Sequence, residues 1–433
     1  MEKFSSSNLN INIKKALAEK GIDIPSEIQA KTIPVLMKHE GDFIGRSATG
    51  TGKTYAYGTP LLSKIDVEVG KVQAVVLVPT RELCEQVGNE LAFLSKYIPN
   101  LKTESIYGGI SLKTQIHDLS NGTHIVVATP GRLMDLVNRN VVQLETLQYV
   151  VFDEADEMLF KGFKTDIDKI LATANRNYST WLFSATMPDE VNHLIKKYLK
   201  KDLIKVLVGK AETPNVGIQH QLIELAAEQK LDALLQFLRQ HANEKSIIFC
   251  RTKSGVQKLY KQLSANKFSC GAIHGDLPQG LRNKVMDQFK AGSISTLIAT
   301  DVASRGVDID SVGMIFQYHI PDTKESYTHR SGRSSRAGKS GISLTFIFPE
   351  EREKWNEIQK GLDLKFKTIP VPTHKDQLVG KAMIWAQKIA KSKPVGNKLD
   401  ESTRNEFKDQ LKHLSKDELL EKLLATYLRE QQG

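Results

Sequence analysis

The segment Ala48-Thr49-Gly50-Thr51-Gly52-Lys53-Thr54 has the residue types and spacing of a loop that wraps phosphates. Gly50 and Gly52 let backbone N–H groups close around phosphate oxygens ahead of a helix, Lys53 reaches the β and γ phosphates, and the Thr54 hydroxyl suits Mg²⁺. Ser47 stands where the general form of such loops has Gly, so the match is to the shorter GxGKT core. Further on, Asp153-Glu154 follows the apolar run Leu147–Phe152. At the end of a strand, Asp153 is placed to hold Mg²⁺ and Glu154 to orient and polarise an attacking water. A glycine-rich turn or an acidic turn alone arises without function. The two together predict a site that hydrolyses a nucleoside triphosphate.

The second half of the chain has no GKT, so it is not expected to bind a nucleotide by itself. It carries instead His329-Arg330-Ser331-Gly332-Arg333-Ser334-Ser335-Arg336-Ala337-Gly338, where Arg333 and Arg336 lie three apart and share a helical face. Such a pair can reach across a cleft and stabilise charge on a transferring phosphoryl group; a solvated basic face or a phosphate-backbone contact is the plainer reading. If the arginines come from a second domain, hydrolysis requires closure.

These residues need elements to hold them. Apolar, β-branched runs alternate with amphipathic stretches from residue 40 to about 350, which predicts parallel sheets covered by helices on both faces. The predicted strands of the first half are Ala74–Val78, Ile125–Ala128, Tyr149–Phe152, Trp181–Phe183 and Ile204–Val208. Those of the second are Ile247–Cys250, Thr296–Ala299, Met314–Phe316 and Leu344–Phe348. Small or charged clusters follow most of these runs, and ligands of open α/β sheets bind outside the carboxyl ends of strands, so both sheets are expected to present a functional rim. Val126-Val127-Ala128-Thr129 and Leu297-Ile298-Ala299-Thr300 form a weak internal echo, consistent with duplication.

The expected organisation is a first domain over 1–208, a linker at 209–216, a second domain over 217–366 and a Lys-rich helical extension over 367–433. The final segment begins with the capping-box pattern Ser415-Lys416-Asp417-Glu418 and places Leu419, Leu420, Leu423, Leu424, Tyr427 and Leu428 on roughly one face. That face needs a surface, either its own chain or a partner. The composition, 40% hydrophobic and 25% charged, excludes wholesale disorder, and the net charge of +10 suits a polyanionic partner without requiring one. Cys84, Cys250 and Cys270 show neither CxxC nor zinc spacing. With no basic and apolar leader and no apolar run near the ~18 residues of a membrane span, the expected setting is cytoplasmic, with no membrane partner.

Asp153-Glu154-Ala155-Asp156 resembles the signature of the DEAD-box RNA helicases, and other motifs of that family follow in order from residue 4 to about 348. Phe4, Gly21, Pro25 and Gln29 resemble the adenine-recognition motif, Ser47–Thr54 motif I, Pro79–Leu83 motif Ia, Gly108-Gly109 the GG turn and Thr129–Arg132 motif Ib. Ser184-Ala185-Thr186 resembles motif III, Ile248-Phe249 the core of motif IV, and His274-Gly275-Asp276 with Gln279 and Arg282 the segment after it. Thr300-Asp301 through Asp308 resembles motif V, and His329–Gly338 motif VI.

The resemblance implies two tandem RecA-like α/β domains plus the helical extension, and ATP with Mg²⁺ as cofactors. It implies ATP contacts from Phe4, Gln29, Ser47, Ala48, Thr49, Gly50, Thr51, Gly52, Lys53, Thr54 and Asp308, with Thr54 and Asp153 on the metal. Catalysis falls to Lys53, Asp153, Glu154, Arg333 and Arg336, and interdomain coupling to Ser184, Thr186 and His329. Implied RNA contacts are Pro79, Thr80, Arg81, Gly109, Thr129, Pro130, Gly131, Arg132, Gly275, Thr300 and Asp301. Contacts to backbone and 2′-OH distinguish RNA without reading sequence, so binding is expected to be sequence-tolerant and salt-sensitive. Gln29 also fits a plain capping box with Ser26, and both roles are compatible.

The chain departs from the family pattern at Ser26 (usually Thr), Ser47 (usually Ala) and Ser334-Ser335 (usually Thr-Gly). The extension loosely resembles that of bacterial cold-shock and ribosome-assembly members, which implies ribosomal precursor or mRNA complexes and a homodimer. The leading expectation is an ATP-dependent RNA helicase that separates short duplexes. An ATP-gated RNA clamp or assembly scaffold uses the same motifs, and a DNA translocase is the third, disfavoured reading.

Overall fold

The computed structural model describes residues 3–6, 9–48, 50–175, 177–200, 202–208, 217–301, 312–334, 341–362, 364–372, 382, 385–386, 389–390, 392 and 400–430. The expected linker at 209–216 lies outside the described residues, as do Thr49, Asp308 and Arg336.

The first sheet contains β1 (Phe43–Arg46), β2 (Ala74–Leu77), β3 (Thr103–Ile106), β4 (Ile125–Ala128), β5 (Tyr149–Phe152), β6 (Ser179–Ser184) and β7 (Ile204–Leu207). The second contains β8 (Ile218–Glu224), β9 (Ser246–Phe249), β10 (Cys270–Ile273), β11 (Thr296–Ala299), β12 (Met314–Gln317), β13 (Gly341–Ile347) and β14 (Lys367–Thr368). Their orders are β3-β4-β2-β5-β6-β1-β7 and β10-β11-β9-β12-β13-β8-β14, so the second sheet repeats the first strand for strand. All pairings are parallel. The sequence echo falls on β4 and β11, which occupy equivalent places in the two sheets.

Both faces of each sheet are covered, which is why the central strands are continuously apolar. In β2, Ala74 and Val76 enter one core, and Val75 and Leu77 the other. The strands missing from the sequence reading lack that signature. β8 reads Ile-Gln-His-Gln-Leu-Ile-Glu, and β10 contains Gly271, where a Cβ would lie 2.7 Å from Val285. In β1, a Cβ on Gly45 would lie 2.5 Å from the Phe183 ring, so the close approach of β1 to β6 needs glycine and breaks the apolar run.

Two further expectations are corrected. The last strand of the second sheet core starts at Gly341 and ends at Ile347 rather than running from Leu344 to Phe348. Lys367–Thr368, expected within the helical extension, pairs with β8 as an edge strand. Beyond it lie helices Glu401–Leu411 and Lys416–Glu430. The capping box forms, with Ser415 N donating to Glu418 Oε2 (2.8 Å) and Glu418 N to Ser415 Oγ (3.2 Å). Tyr427 stacks on Trp385 at 4.6 Å, yet Leu420, Leu423 and Leu424 remain 56%, 42% and 39% exposed.

Candidate nucleotide and nucleic-acid site

Strand order sorts the motifs into two groups along the rim of the first sheet. β5, β6 and β1 are neighbours, with Phe152, Leu182 and Ile44 in register, so their carboxyl ends bring Asp153, Ser184 and the phosphate loop side by side. β3, β4 and β2 are the other neighbours and bring Gly108-Gly109, Thr129–Arg132 and Pro79–Arg81 together. The phosphate-loop and Asp153 residues and the expected RNA residues of the first half therefore occupy adjoining halves of one edge.

The phosphate loop is held from within. Lys53, 7% exposed, donates from Nζ to the carbonyls of Ser47 (3.0 Å) and Ala48 (3.3 Å), leaving the ammonium one further N–H. Thr51 Oγ1 donates to Ala48 O (2.8 Å), so the Ser47 hydroxyl is the donor in its 2.8 Å bond to Thr51 Oγ1. Ser47 N reaches Ser184 O across the sheet (3.2 Å). Gly52 has φ +87°, and a Cβ there would lie 2.3 Å from Gln29 Nε2. Gln29 Oε1 accepts from Ser26 N (2.9 Å) while Nε2 donates to Gly52 O (3.0 Å), so one side chain caps its own helix and ties it to the loop. Phe4 is buried in the adjoining core.

Asp153 is 3% exposed, with both carboxylate oxygens engaged: Oδ2 accepts from Tyr57 Oη (2.9 Å) and Oδ1 from Glu154 N (3.0 Å). Burial pushes its carboxyl up to about 6, against the attraction of Lys53. Burial and then the Asp153 charge push the Tyr57 phenol well above its ordinary value, so it stays a donor. Glu154 adopts a left-handed backbone, φ +53° and ψ 52°, at the head of helix Ala155–Phe160. A non-glycine residue there costs on the order of 1 kcal/mol.

Asp156 connects the two halves. Its Oδ2 accepts from Thr186 N (3.0 Å) and Oγ1 (2.6 Å), its N–H donates to Ser184 Oγ (3.3 Å), and His329 Nε2 stands 3.6 Å away. Burial would raise its carboxyl, but the His329 imidazole and the Thr186 and Ser184 hydroxyls outweigh burial and hold it well below the usual carboxylate range. His329 Nδ1 is 3.8 Å from Glu157. A second bridge joins Glu82 to Arg282 at 2.7 Å, the side chains only 12% and 9% exposed, with Gln279 Nε2 donating to Glu82 Oε1 (3.3 Å).

On the remaining rim, the Arg81 guanidinium lies across Gly108-Gly109: a Cβ on Gly109 would come within 2.5 Å of its Nη1. Arg132 donates to Gln115 Oε1 (2.7 Å), and Thr80 caps its helix through Oγ1, which accepts from Leu83 N (3.1 Å). Pro79 O accepts from Lys161 Nζ (3.3 Å), and Thr129, Pro130 and Gly131 open helix Pro130–Asn138. In the second half, Thr300 is buried at the end of β11 and Gly275 lies near Lys253. Asp301 is gripped bidentately by Arg330 at 2.5 and 2.6 Å, so its side chain acts as a partner of Arg330. Arg333 is buried and follows His329 by four residues, the turn continuing through Gly332 N to Thr328 O (2.9 Å).

Sequence reasoning assigned no role to Tyr57, Glu82 or Arg330. Tyr57 carried a usable signal, because it lies one helical turn after Lys53 and so shares its face. Glu82 and Arg330 lie inside the motif Ia and motif VI segments, but their partners are distant in sequence: Arg282 comes from the other half, and Asp301 follows β11.

The DEAD/DEAH box helicase family matches residues 26–194, and the helicase conserved C-terminal domain matches residues 229–338. The chain is 39% identical over 390 residues to the DEAD-box ATP-dependent RNA helicase CshA of Geobacillus kaustophilus, covering 90% of this chain and 83% of that protein. It is 38% identical over 404 residues to the ATP-dependent RNA helicase CshA of Listeria monocytogenes, covering 93% and 77%. The solved structure of S. cerevisiae Dbp5 bound to RNA and ADP BeF3 is similar with a TM-score of 0.79 at 27% identity, over 88% of this chain and 99% of that one.

Proposed function

We propose that this chain, which belongs to the DEAD-box family of ATP-dependent RNA helicases, uses closure of its two halves to grip RNA, separate a short duplex and release the strand after ATP hydrolysis. The observation that carries this reading is the seam: Asp156, held by Thr186 and Ser184 of the first half, meets His329, which lies four residues before Arg333 in the second. Through Ser47 N to Ser184 O and Asp156 N to Ser184 Oγ, the phosphate loop has a hydrogen-bonded path to Asp156, which faces His329 at 3.6 Å.

The residues divide the work by position. Lys53 and the loop N–H groups bind the phosphates; Glu154 orients and polarises water; Arg333 and Arg336 stabilise the charge that develops on the γ-phosphoryl group. We assign Mg²⁺ to Asp153 and Thr54. The fit rests on hard oxygen donors and on a buried carboxylate held in one orientation by Tyr57 and Glu154 N. Few protein ligands are expected, because Mg²⁺ keeps several waters and binds phosphates. When bound, the ion neutralises charge on the β and γ oxygens.

Arg81, Gly109, Thr129, Arg132, Gly275 and Thr300 are proposed to follow the RNA backbone, with Asp301 acting through Arg330. The limits 1–208 and 217–366, the second unit extended to take in edge strand β14 (Lys367–Thr368), are proposed as units of the cycle. A homodimer through the extension is supported by the exposed Leu420, Leu423 and Leu424. Ribosomal precursors or mRNA are the proposed complexes, and the cytoplasm the proposed setting; among the described residues no helix is long and apolar enough to cross a membrane.

ATP-titrated strand separation on a short tailed RNA duplex, alongside RNA-bound lifetime with a non-hydrolysable ATP analogue, tests the reading. ATP-dependent separation is expected. Long-lived binding without separation would make the protein a clamp, and equal stimulation of hydrolysis by DNA would make it a DNA translocase.

A further inference from the structure

The rim of the first half is braced by a buried amide. Gln115, in helix Leu112–Leu119, is 3% exposed, while Lys113, Thr114 and His117 around it are exposed. Its Oε1 accepts from Arg132 Nη1 (2.7 Å), and its Nε2 donates to the carbonyls of Tyr107 (3.2 Å) and Ser105 (3.4 Å). Tyr107 immediately precedes the Gly108-Gly109 turn, and Ile110, just after it, offers its carbonyl to Arg132 Nη2 (3.5 Å). The turn across which Arg81 lies is therefore bracketed, by Gln115 before it and by Arg132 after it.

Only an uncharged amide satisfies all three partners of Gln115. Turned over, it would set its NH₂ against the guanidinium and its oxygen against two carbonyls, so the partners dictate its orientation. A carboxylate would face the same two carbonyls, and an apolar side chain would leave Arg132 unsupported. Charge argues the same way. Arg132 forms no ion pair among the described residues, and a neutral acceptor fixes its guanidinium while leaving the positive charge, and the remaining N–H groups, for a phosphate. A carboxylate in that place would neutralise the charge that the phosphate needs.

We propose that Gln115 is a positioning residue for RNA, holding the Arg132 guanidinium in its phosphate-binding orientation and anchoring it to the Gly108-Gly109 turn. Its contribution is preorganisation, because an unsupported arginine must give up rotamer freedom when it grips a phosphate. The inference rests on the reading of Arg132 as an RNA-backbone contact, and it adds the side chain that decides how well that contact is made.

The test uses Gln115→Met, Arg132→Met, the double variant and Arg132→Lys in the full chain. Two quantities are measured: single-stranded RNA affinity with a non-hydrolysable ATP analogue over a series of salt concentrations, and the RNA dependence of ATPase activity. Gln115→Met is expected to weaken RNA about threefold to tenfold, with turnover at saturating RNA unchanged. Its salt dependence stays that of the unsubstituted chain because the charge remains, whereas Arg132→Met lowers the slope by about 0.7. On the Arg132→Met background, Gln115→Met is expected to add less than about twofold. Arg132→Lys keeps the charge but not the fork that Gln115 holds, and is expected to match Gln115→Met. Equal losses from Gln115→Met with and without Arg132 overturn the positioning role. Undiminished RNA affinity in Arg132→Lys overturns it too, whether or not Gln115→Met folds. Undiminished affinity in Arg132→Met overturns the RNA reading of Arg132, and this inference with it.

Discussion

Tyr57 Oη donates to Asp153 Oδ2 at 2.9 Å in a fully buried pair, so a residue of the phosphate-loop helix orients the carboxylate at the end of β5. The phenol ring packs on Phe183 at 5.1 Å, which fixes the hydroxyl from behind.

Tyr57→Phe keeps that ring and removes only the donor. Leaving a buried carboxylate oxygen short of a partner costs about 1–3 kcal/mol. The expected result is a folded protein whose Mg²⁺ requirement for hydrolysis and for tight nucleotide binding rises roughly threefold to tenfold. Mg²⁺ titrations of ATPase activity and of a fluorescent nucleotide check it; an unchanged requirement removes Tyr57 from the site.

Asp153→Asn separates stability from function. The folded carboxyl titrates near 6, above its ordinary 3.8, so between these values the folded chain holds the proton more tightly than the unfolded chain. Stability gained that way at low pH is lost as pH rises through about 6. Asn has no charge to bury, so the variant is expected to be the more stable at pH 8, by on the order of 1–3 kcal/mol, with the difference shrinking towards pH 4. Melting curves without nucleotide at both pH values measure this, and a constant difference counts against it. ATPase activity is expected to be lost.

Glu154→Gln leaves shape and the left-handed turn intact but removes the water-polarising base. Nucleotide binding is expected to persist while turnover slows at least ~100-fold. Near-normal turnover would move the base elsewhere.

Arg333→Ala is expected to abolish RNA-stimulated hydrolysis by removing charge stabilisation in the transition state, with nucleotide affinity little changed. Retained stimulation would place Arg333 on RNA instead. Single-turnover hydrolysis with and without RNA distinguishes the two.

The Glu82–Arg282 bridge offers a test of closure remote from the nucleotide. Arg282→Met leaves Glu82 buried beside Gln279 without its cation, a strongly unfavourable state that opening the halves relieves. The RNA concentration needed for half-maximal ATPase is expected to rise about tenfold, and Glu82→Met/Arg282→Met to recover part of the loss. If the double variant is no better than the single, the bridge does not act through pairing.

Much of this protein was legible in one dimension because its chemistry is local. The phosphate loop, Asp153-Glu154 and the His329 segment are contiguous runs, and β2, β4, β5 and β11 announce themselves as apolar because both faces of each sheet are buried. β8 and β10 did not, since alternating polar residues in one and small residues in the other hide their pairing.

By itself the sequence determined two α/β halves, one nucleotide loop and the residue types for ATP and RNA. Only the tertiary structure decided which residues meet: that the halves share one strand order, that Tyr57 steers Asp153, that Arg330 takes Asp301, and that Glu82 and Arg282 face each other across the seam. The physical reason is that parallel sheets are built by crossovers. Strands adjacent in space, such as β5, β6 and β1, are scattered along the chain, and side-chain partners are set by sheet order rather than by spacing.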